Sequence, residues 1–174
     1  VVVASAGNCG PDGDPSRCDL IWQYSQDAPG EHHSISCPSC ASEAISVAAS
    51  NDYDQIWEKS SRGPTWPVGG PNGTEYYDKP DITAPGVSIC AAKSINFSPD
   101  GAMVTGSPSC FNSENHISVS GTSMSSPTIA GVVALLKQAN PDITKDQVLE
   151  LLQGTAVDLG NNYTYYEQGA GRVD

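Results

Sequence analysis

The stretch Ser120-Gly121-Thr122-Ser123-Met124-Ser125-Ser126-Pro127, running directly into Thr128-Ile129-Ala130-Gly131-Val132-Val133-Ala134-Leu135-Leu136, constrains this chain most. A run of small residues gives way at once to an apolar pattern in which Ile129, Val132, Val133 and Leu136 share one face at helical spacing. The spacing predicts a buried helix with a serine at or just before its first turn. The first N–H groups of a helix have no intrahelical acceptor, and the positive end of its dipole lies there, so negative charge is stabilised nearby. Serine is also a common N-cap, so Ser120, Ser123 and Ser126 each have a purely structural role open to them.

Val1-Val2-Val3-Ala4-Ser5 is a short, continuously apolar, β-branched run that predicts a strand buried on both faces. It leaves through Gly7-Asn8, which taken alone is an ordinary strand-ending turn. Residues 44–49 read as the next buried strand, and Ile117-Ser118-Val119 as a strand delivering Gly121 and Ser123. Beyond the serine helix, Thr144 with Gln147 three residues on forms a capping-box pattern. Val148, Leu149, Leu151 and Leu152 supply that second helix with an apolar stripe, and Gly154 is placed to stop it. There is no internal repeat.

A length of 174 residues fits one domain, long enough to bury roughly 70% of its unfolded surface. Twenty acidic residues against eight basic ones give a net charge of −12. Attraction to nucleic-acid phosphates or anionic lipid is therefore disfavoured. No apolar run reaches the roughly 20 residues of a membrane helix, and no basic-then-apolar leader opens the chain. The chain has no initiator Met and opens on Val1-Val2-Val3. This reads as the middle of a fold, so the expectation is that an upstream portion has been cut away.

The cysteines Cys9, Cys18, Cys37, Cys40, Cys90 and Cys110 sit in or beside loop-like sequence, and acceptor-type sequons begin at Asn72, Asn96 and Asn162. Together they point to an oxidising, extracellular setting, hence a secreted protein. The expected bridges are Cys90 with Cys110 across an intervening loop and Cys9 with Cys18 across a Gly/Pro/Asp turn. The pair Cys37-Pro38-Ser39-Cys40 also matches a redox or zinc pattern. No second pair or His pair accompanies it, so no metal site is assigned.

The string Gly121-Thr122-Ser123-Met124-Ser125-Ser126-Pro127-Thr128-Ile129-Ala130-Gly131 resembles the nucleophile signature of the subtilisin-like serine peptidases, the subtilases. The family usually has Ala where Ser125 stands and His where Thr128 stands. The resemblance implies that the Ser123 hydroxyl attacks the peptide carbonyl, activated by a histidine that an aspartate orients. Ser5-Ala6-Gly7-Asn8 resembles the family's Ala-Ala-Gly-Asn motif, which implies that the Asn8 amide donates to the oxyanion of the tetrahedral intermediate. An amide suits that role because it donates a hydrogen bond without carrying a charge.

Residues 44–49, the run Ser60-Ser61-Arg62-Gly63-Pro64, the run Lys79-Pro80-Asp81-Ile82-Thr83-Ala84-Pro85-Gly86 and the closing Gly169-Ala170-Gly171-Arg172-Val173 resemble further subtilase segments, to which scaffold roles fall. Pro38 matches a proline that in the family follows a cis bond at the base of the pocket for the substrate's first side chain. The substrate-binding set implied by the resemblance is Ser5, Ala6, Gly7, Ser36 and Thr122. The implied fold is α/β, a mostly parallel sheet with helices on both faces. Residues 1–174 would be the C-terminal portion of a subtilase catalytic domain.

In subtilases the triad runs Asp, His, Ser, with both partners ahead of the oxyanion asparagine. Neither an Asp-Ser/Thr-Gly strand end nor a His-Gly-Thr helix start occurs in residues 1–174. His32-His33 falls in the Gly/Pro/Asp/Ser/Cys-rich segment 9–40, read as a surface loop, and is assigned to solvent. His116 is separated from Ser123 by a strand and a tight turn and is not assigned as the base. Residues 91–115 read as a second polar insertion.

The expectation is a serine endopeptidase whose Asp and His lie upstream, with that N-terminal half as partner and little activity without it. A non-catalytic subtilase-like module is the alternative, raised by Thr128 and the absent triad partners. No cofactor is required. The resemblance leaves room for a structural calcium ion on carbonyls of residues 39–44. The first strand is expected to lack at least one neighbour, exposing an aggregation-prone edge.

Overall fold

The computed structural model describes residues 1–11, 18, 34–65, 75–96, 110, 115–160 and 162–174. Strands β1 (Val2–Ser5), β2 (Ala44–Ser50) and β3 (Ile82–Pro85) form a parallel sheet in that order. The register sets Val3 against Ile45 and Ala49 against Ala84. Strands β4 (Ile89–Ala92) and β5 (His116–Val119) make a separate antiparallel pair that delivers the chain to helix α1 (Thr122–Ala139). Helices α2 (Lys145–Thr155) and α3 (Tyr165–Gln168) follow.

Side chains alternate across a strand, so Ile45 and Val47 share one face of β2. That face packs with Ile82 and Ala84 of β3, Ile129 and Val133 of α1, and Val148 and Leu152 of α2 to form the core. β2 is buried at all seven positions because strands flank both its edges. The start of α2 carries the expected capping box, with the Gln147 N–H donating to Thr144 Oγ1 and the Thr144 N–H to Gln147 Oε1.

Several expectations are corrected. β1 is not buried on both faces: Val1 and Val2 are 50% and 59% exposed, because among the described residues β1 pairs only with β2. Helix α1 is buried on one side. Ile129 and Val133 face the core, Val132 and Leu136 pack beside it, and Ala130, Gly131, Ala134 and Leu135 are exposed. In α2, Leu151 turns outward and Gly154 lies inside the last turn, with the helix ending at Thr155.

The end of the segment read as a surface loop is packed in. Ser34, Ile35 and Ser39 are buried. The Ser34 N–H donates to Arg62 O (2.8 Å), and the Arg62 N–H donates to Ser34 Oγ (2.7 Å). His32, His33, the sequon at Asn72 and most of residues 97–114 lie outside the described residues.

Among the ion pairs of the described residues, those of Lys79 and Arg62 have a buried cation. The Lys79 Nζ group, buried below β2, donates to Ala44 O and Asp81 Oδ2, each at 2.7 Å, and Asp81 Oδ2 also accepts from the Ser46 N–H. Arg62 pairs with Glu167, joining the 60–65 segment to α3. Burial pulls the Arg62 guanidinium below its usual range, and Glu167 opposes that shift. Disulfides join Cys9 to Cys18 and Cys90 to Cys110, as expected, and Cys37 to Cys40. The third bridge leaves neither sulfur of that pair as a free thiolate to bind zinc.

Candidate active site

The last bond that holds the exit of β1 to the sheet is from the Ala6 N–H to Val47 O (2.9 Å). Gly7 follows with φ +111°, a backbone region in which side chains are strained. Its N–H donates to Thr122 Oγ1 (3.1 Å), and its carbonyl accepts from the Ser61 N–H (2.9 Å). On the far side of Asn8, the Cys9 N–H donates to Ser61 Oγ (3.0 Å) and the Gly10 N–H to Lys59 O (2.9 Å).

Asn8 therefore stands at a tip fastened before and after it. Its Oδ1 accepts from the Thr122 N–H (3.0 Å) and from Thr122 Oγ1 (2.9 Å), across 114 residues of chain. Two donors on the oxygen fix the planar amide with Nδ2 at the opposite end. That nitrogen lies 3.3 Å from where a Cβ on Gly121 would sit, and the Ser123 backbone nitrogen lies 3.7 Å from the same point. The two candidate oxyanion donors thus flank one spot.

Helix α1 has Gly121 as its N-cap and no side-chain cap, so none of Ser120, Ser123 or Ser126 caps it. Ser120 Oγ accepts instead from the Ser88 N–H (2.8 Å). The first helical N–H, that of Thr122, is satisfied from outside by Asn8. The next, that of Ser123, has no intrahelical acceptor and lies at the positive end of the dipole. The Ser123 side chain is exposed. Ser125, where the family usually has Ala, is fully buried and donates to Thr122 O (2.9 Å), while Thr128 is exposed.

Of the implied substrate-binding residues, Ser36 and Gly7 come together. The Ser36 N–H donates to Ala6 O (2.8 Å), Ser36 Oγ lies against Gly7, and the Cys37–Pro38 peptide is cis as expected. Ser5 is half-buried opposite Val47, and Thr122 sits beneath Asn8. Ala6 is fully buried with both backbone groups engaged. His116 starts β5, opposite Ala92, at the end of the strand away from Gly121. Ser61 was given only a scaffold role by the sequence. Nothing in a Ser-Ser pair within a turn-rich segment distinguishes a hydroxyl facing residue 9 from one facing water.

Among the described residues no group of three or more His, Cys, Asp or Glu is placed to hold a metal ion. In the segment 39–44, Ala41 O accepts from the Ala44 N–H and Ala44 O from the Lys79 ammonium, so these two carbonyls are already engaged.

Gly7 sets a sharp test of the tip. A Cβ there would overlap Ser36 Oγ and stand 2.7 Å from Ser61 Oγ, at a φ that side chains avoid. Gly7→Ala is expected to destabilise the protein by about 2–4 kcal/mol in urea unfolding. A loss under about 0.5 kcal/mol would mean that the tip has room the packing denies.

The model of the Subtilase family (Peptidase_S8) matches residues 1–171. Over 160 residues the chain is 36% identical to the serine protease AprX of Bacillus subtilis (strain 168), covering 88% of this chain and 29% of that protein. It is 38% identical over 125 residues to the minor extracellular protease Vpr of the same organism, covering 68% of this chain and 13% of Vpr. The crystal structure of fervidolysin from Fervidobacterium pennivorans, a keratinolytic enzyme related to subtilisin, aligns with a TM-score of 0.60 at 26% identity, covering 99% of this chain and 21% of that one. The chain spans less than a third of each of these relatives. With a family match over nearly its whole length, and a parallel sheet whose first strand ends at an amide meeting the mouth of the Ser123 helix, this chain belongs to the subtilase family.

Proposed function

We propose that this chain is the C-terminal portion of the catalytic domain of a serine endopeptidase that cleaves protein or peptide substrates. The observation that carries the reading is the Asn8 amide, locked on Thr122 at the mouth of the Ser123 helix, with Nδ2 3.3 Å and the Ser123 backbone nitrogen 3.7 Å from where a Cβ on Gly121 would sit. In this reading Ser123 Oγ attacks the scissile carbonyl carbon while its proton passes to a histidine. The carbonyl oxygen becomes an oxyanion and takes hydrogen bonds from Asn8 Nδ2 and the Ser123 N–H. Collapse expels the amine, which leaves with the proton, and water then hydrolyses the acyl group from Ser123. Ser36 and Gly7, with Ser5, Ala6 and Thr122 around them, form a wall of the substrate cleft. Acyl transfer of this kind requires no cofactor.

The histidine and its aspartate are proposed to come from an N-terminal half of the same domain. Three observations support this: His116 stands at the wrong end of β5, β1 has an open edge among the described residues, and α1 exposes Ala130, Ala134 and Leu135. Without that half, Ser123 keeps the weak nucleophilicity of an alcohol. Three disulfides, together with the extracellular designation of Vpr, support secretion, and the exposed Asn162 is a proposed glycosylation site.

A fluorophosphonate probe applied to the full-length polypeptide is expected to label Ser123. Full-length protein that folds and resists the probe would instead be a non-catalytic module. Turnover of a fluorogenic peptide by residues 1–174 alone, at the rate of the full-length protein, would remove the need for the N-terminal half.

A further inference from the structure

We infer that Ser61 is a positioning residue for the oxyanion amide of Asn8, an inference that rests on the oxyanion role proposed for that amide. An oxyanion donor works only when it is held about 2.7–3.1 Å from where the charge develops. Asn8 lies beyond the last sheet bond of β1, where no strand ladder holds the backbone. Thr122 fixes the outer end of its side chain, but the backbone from which that side chain springs needs its own anchor.

Ser61 supplies that anchor on both sides. Its N–H donates to Gly7 O at 2.9 Å, and its Oγ accepts from the Cys9 N–H at 3.0 Å, so the two peptide groups flanking Asn8 are tied to one residue. Ser61 is fully buried, while Gly7 and Cys9 are half-buried, so both bonds are shielded on the Ser61 side. It is firmly mounted. Ser60 Oγ accepts from the Ala49 N–H in β2 (3.1 Å), and the next residue, Arg62, is bonded to Ser34 through both backbone groups. Rigidity thus passes from the buried central strand through residues 60–62 to the tip that carries the amide.

The test is a double-mutant cycle in the full-length protein with a peptide substrate. Ser61→Ala removes the acceptor of the Cys9 N–H and is expected to lower kcat about tenfold while KM stays within about twofold, because the lost contact acts in the transition state. Asn8→Ala is expected to lower kcat about 10²–10³-fold. In the Asn8→Ala background, Ser61→Ala has no amide left to position, so its further effect stays below about twofold. Ser61→Cys, which is slightly larger and keeps a weaker acceptor in place, is carried through the same cycle, with about threefold expected in place of tenfold. It decides the matter if Ser61→Ala does not fold.

A full effect of Ser61 substitution that persists without Asn8 would make Ser61 a general packing residue and overturn the inference. So would an unchanged kcat in both Ser61 variants. An unchanged kcat in Asn8→Ala alone would instead overturn the oxyanion role on which this inference stands, and the single variant tells that failure apart.

Discussion

Ser123→Ala in the full-length polypeptide is expected to abolish fluorophosphonate labelling and lower kcat about 10⁶-fold, the order reached when the nucleophile of such a triad is removed. Its unfolding free energy should move by no more than about 0.5 kcal/mol. The two outcomes separate because Ser123 is exposed and does not cap α1, so its hydroxyl has little structural work to lose. The proposed oxyanion donors, Asn8 Nδ2 and the Ser123 N–H, are untouched by the substitution, and residual hydrolysis is expected to come from them and from substrate binding. Labelling retained in Ser123→Ala would move the nucleophile to another serine. Ser120 is a poor candidate, since it is buried and accepts from the Ser88 N–H.

The second large effect concerns stability. Lys79→Met is expected to cost about 3–5 kcal/mol in urea unfolding of the full-length protein, because it strands the buried Asp81 carboxylate without its cation. The Ala44 carbonyl loses its donor in the same step. Adding Asp81→Asn to Lys79→Met should recover part of the loss, since an asparagine oxygen still accepts from the Ser46 N–H and carries no charge. A cost below about 1 kcal/mol for the single variant would mean that the pair is solvated. This ion pair sits at the base of β2 and β3, away from the Asn8 tip, so the folded fraction should keep its kcat.

These two residues were unequally legible. Ser123 stands in a motif of fixed spacing at the mouth of a periodic helix, and both the helix and its start are where the sequence places them. The Thr144–Gln147 capping box and the two predicted disulfides were legible for the same reason, since each depends on residues close along the chain. Lys79 and Asp81 were read as parts of a turn-making scaffold. That they form a buried pair depends on the parallel alignment of β2 with β3, which brings Ala44 and Ser46 against them. Ser34, Ile35 and Ser39 were misread for a related reason. A polar, turn-rich composition predicts exposure, but here it meets the 60–63 segment and β2 and is buried by them.

By itself the sequence determined which residues begin α1, which of its positions are apolar, and that a serine and an amide of the right kinds are present, because capping, periodicity and backbone preference act over a few residues. The tertiary structure decided that Asn8 Oδ1 rests on Thr122, that Nδ2 comes to lie against Gly121 at the mouth of α1, and that Ser61 grips the chain on either side of the amide. Those contacts join residues more than fifty positions apart. They exist only because the order β1-β2-β3 and the packing of α1 against that sheet bring a strand tip, a helix mouth and a buried turn to one place.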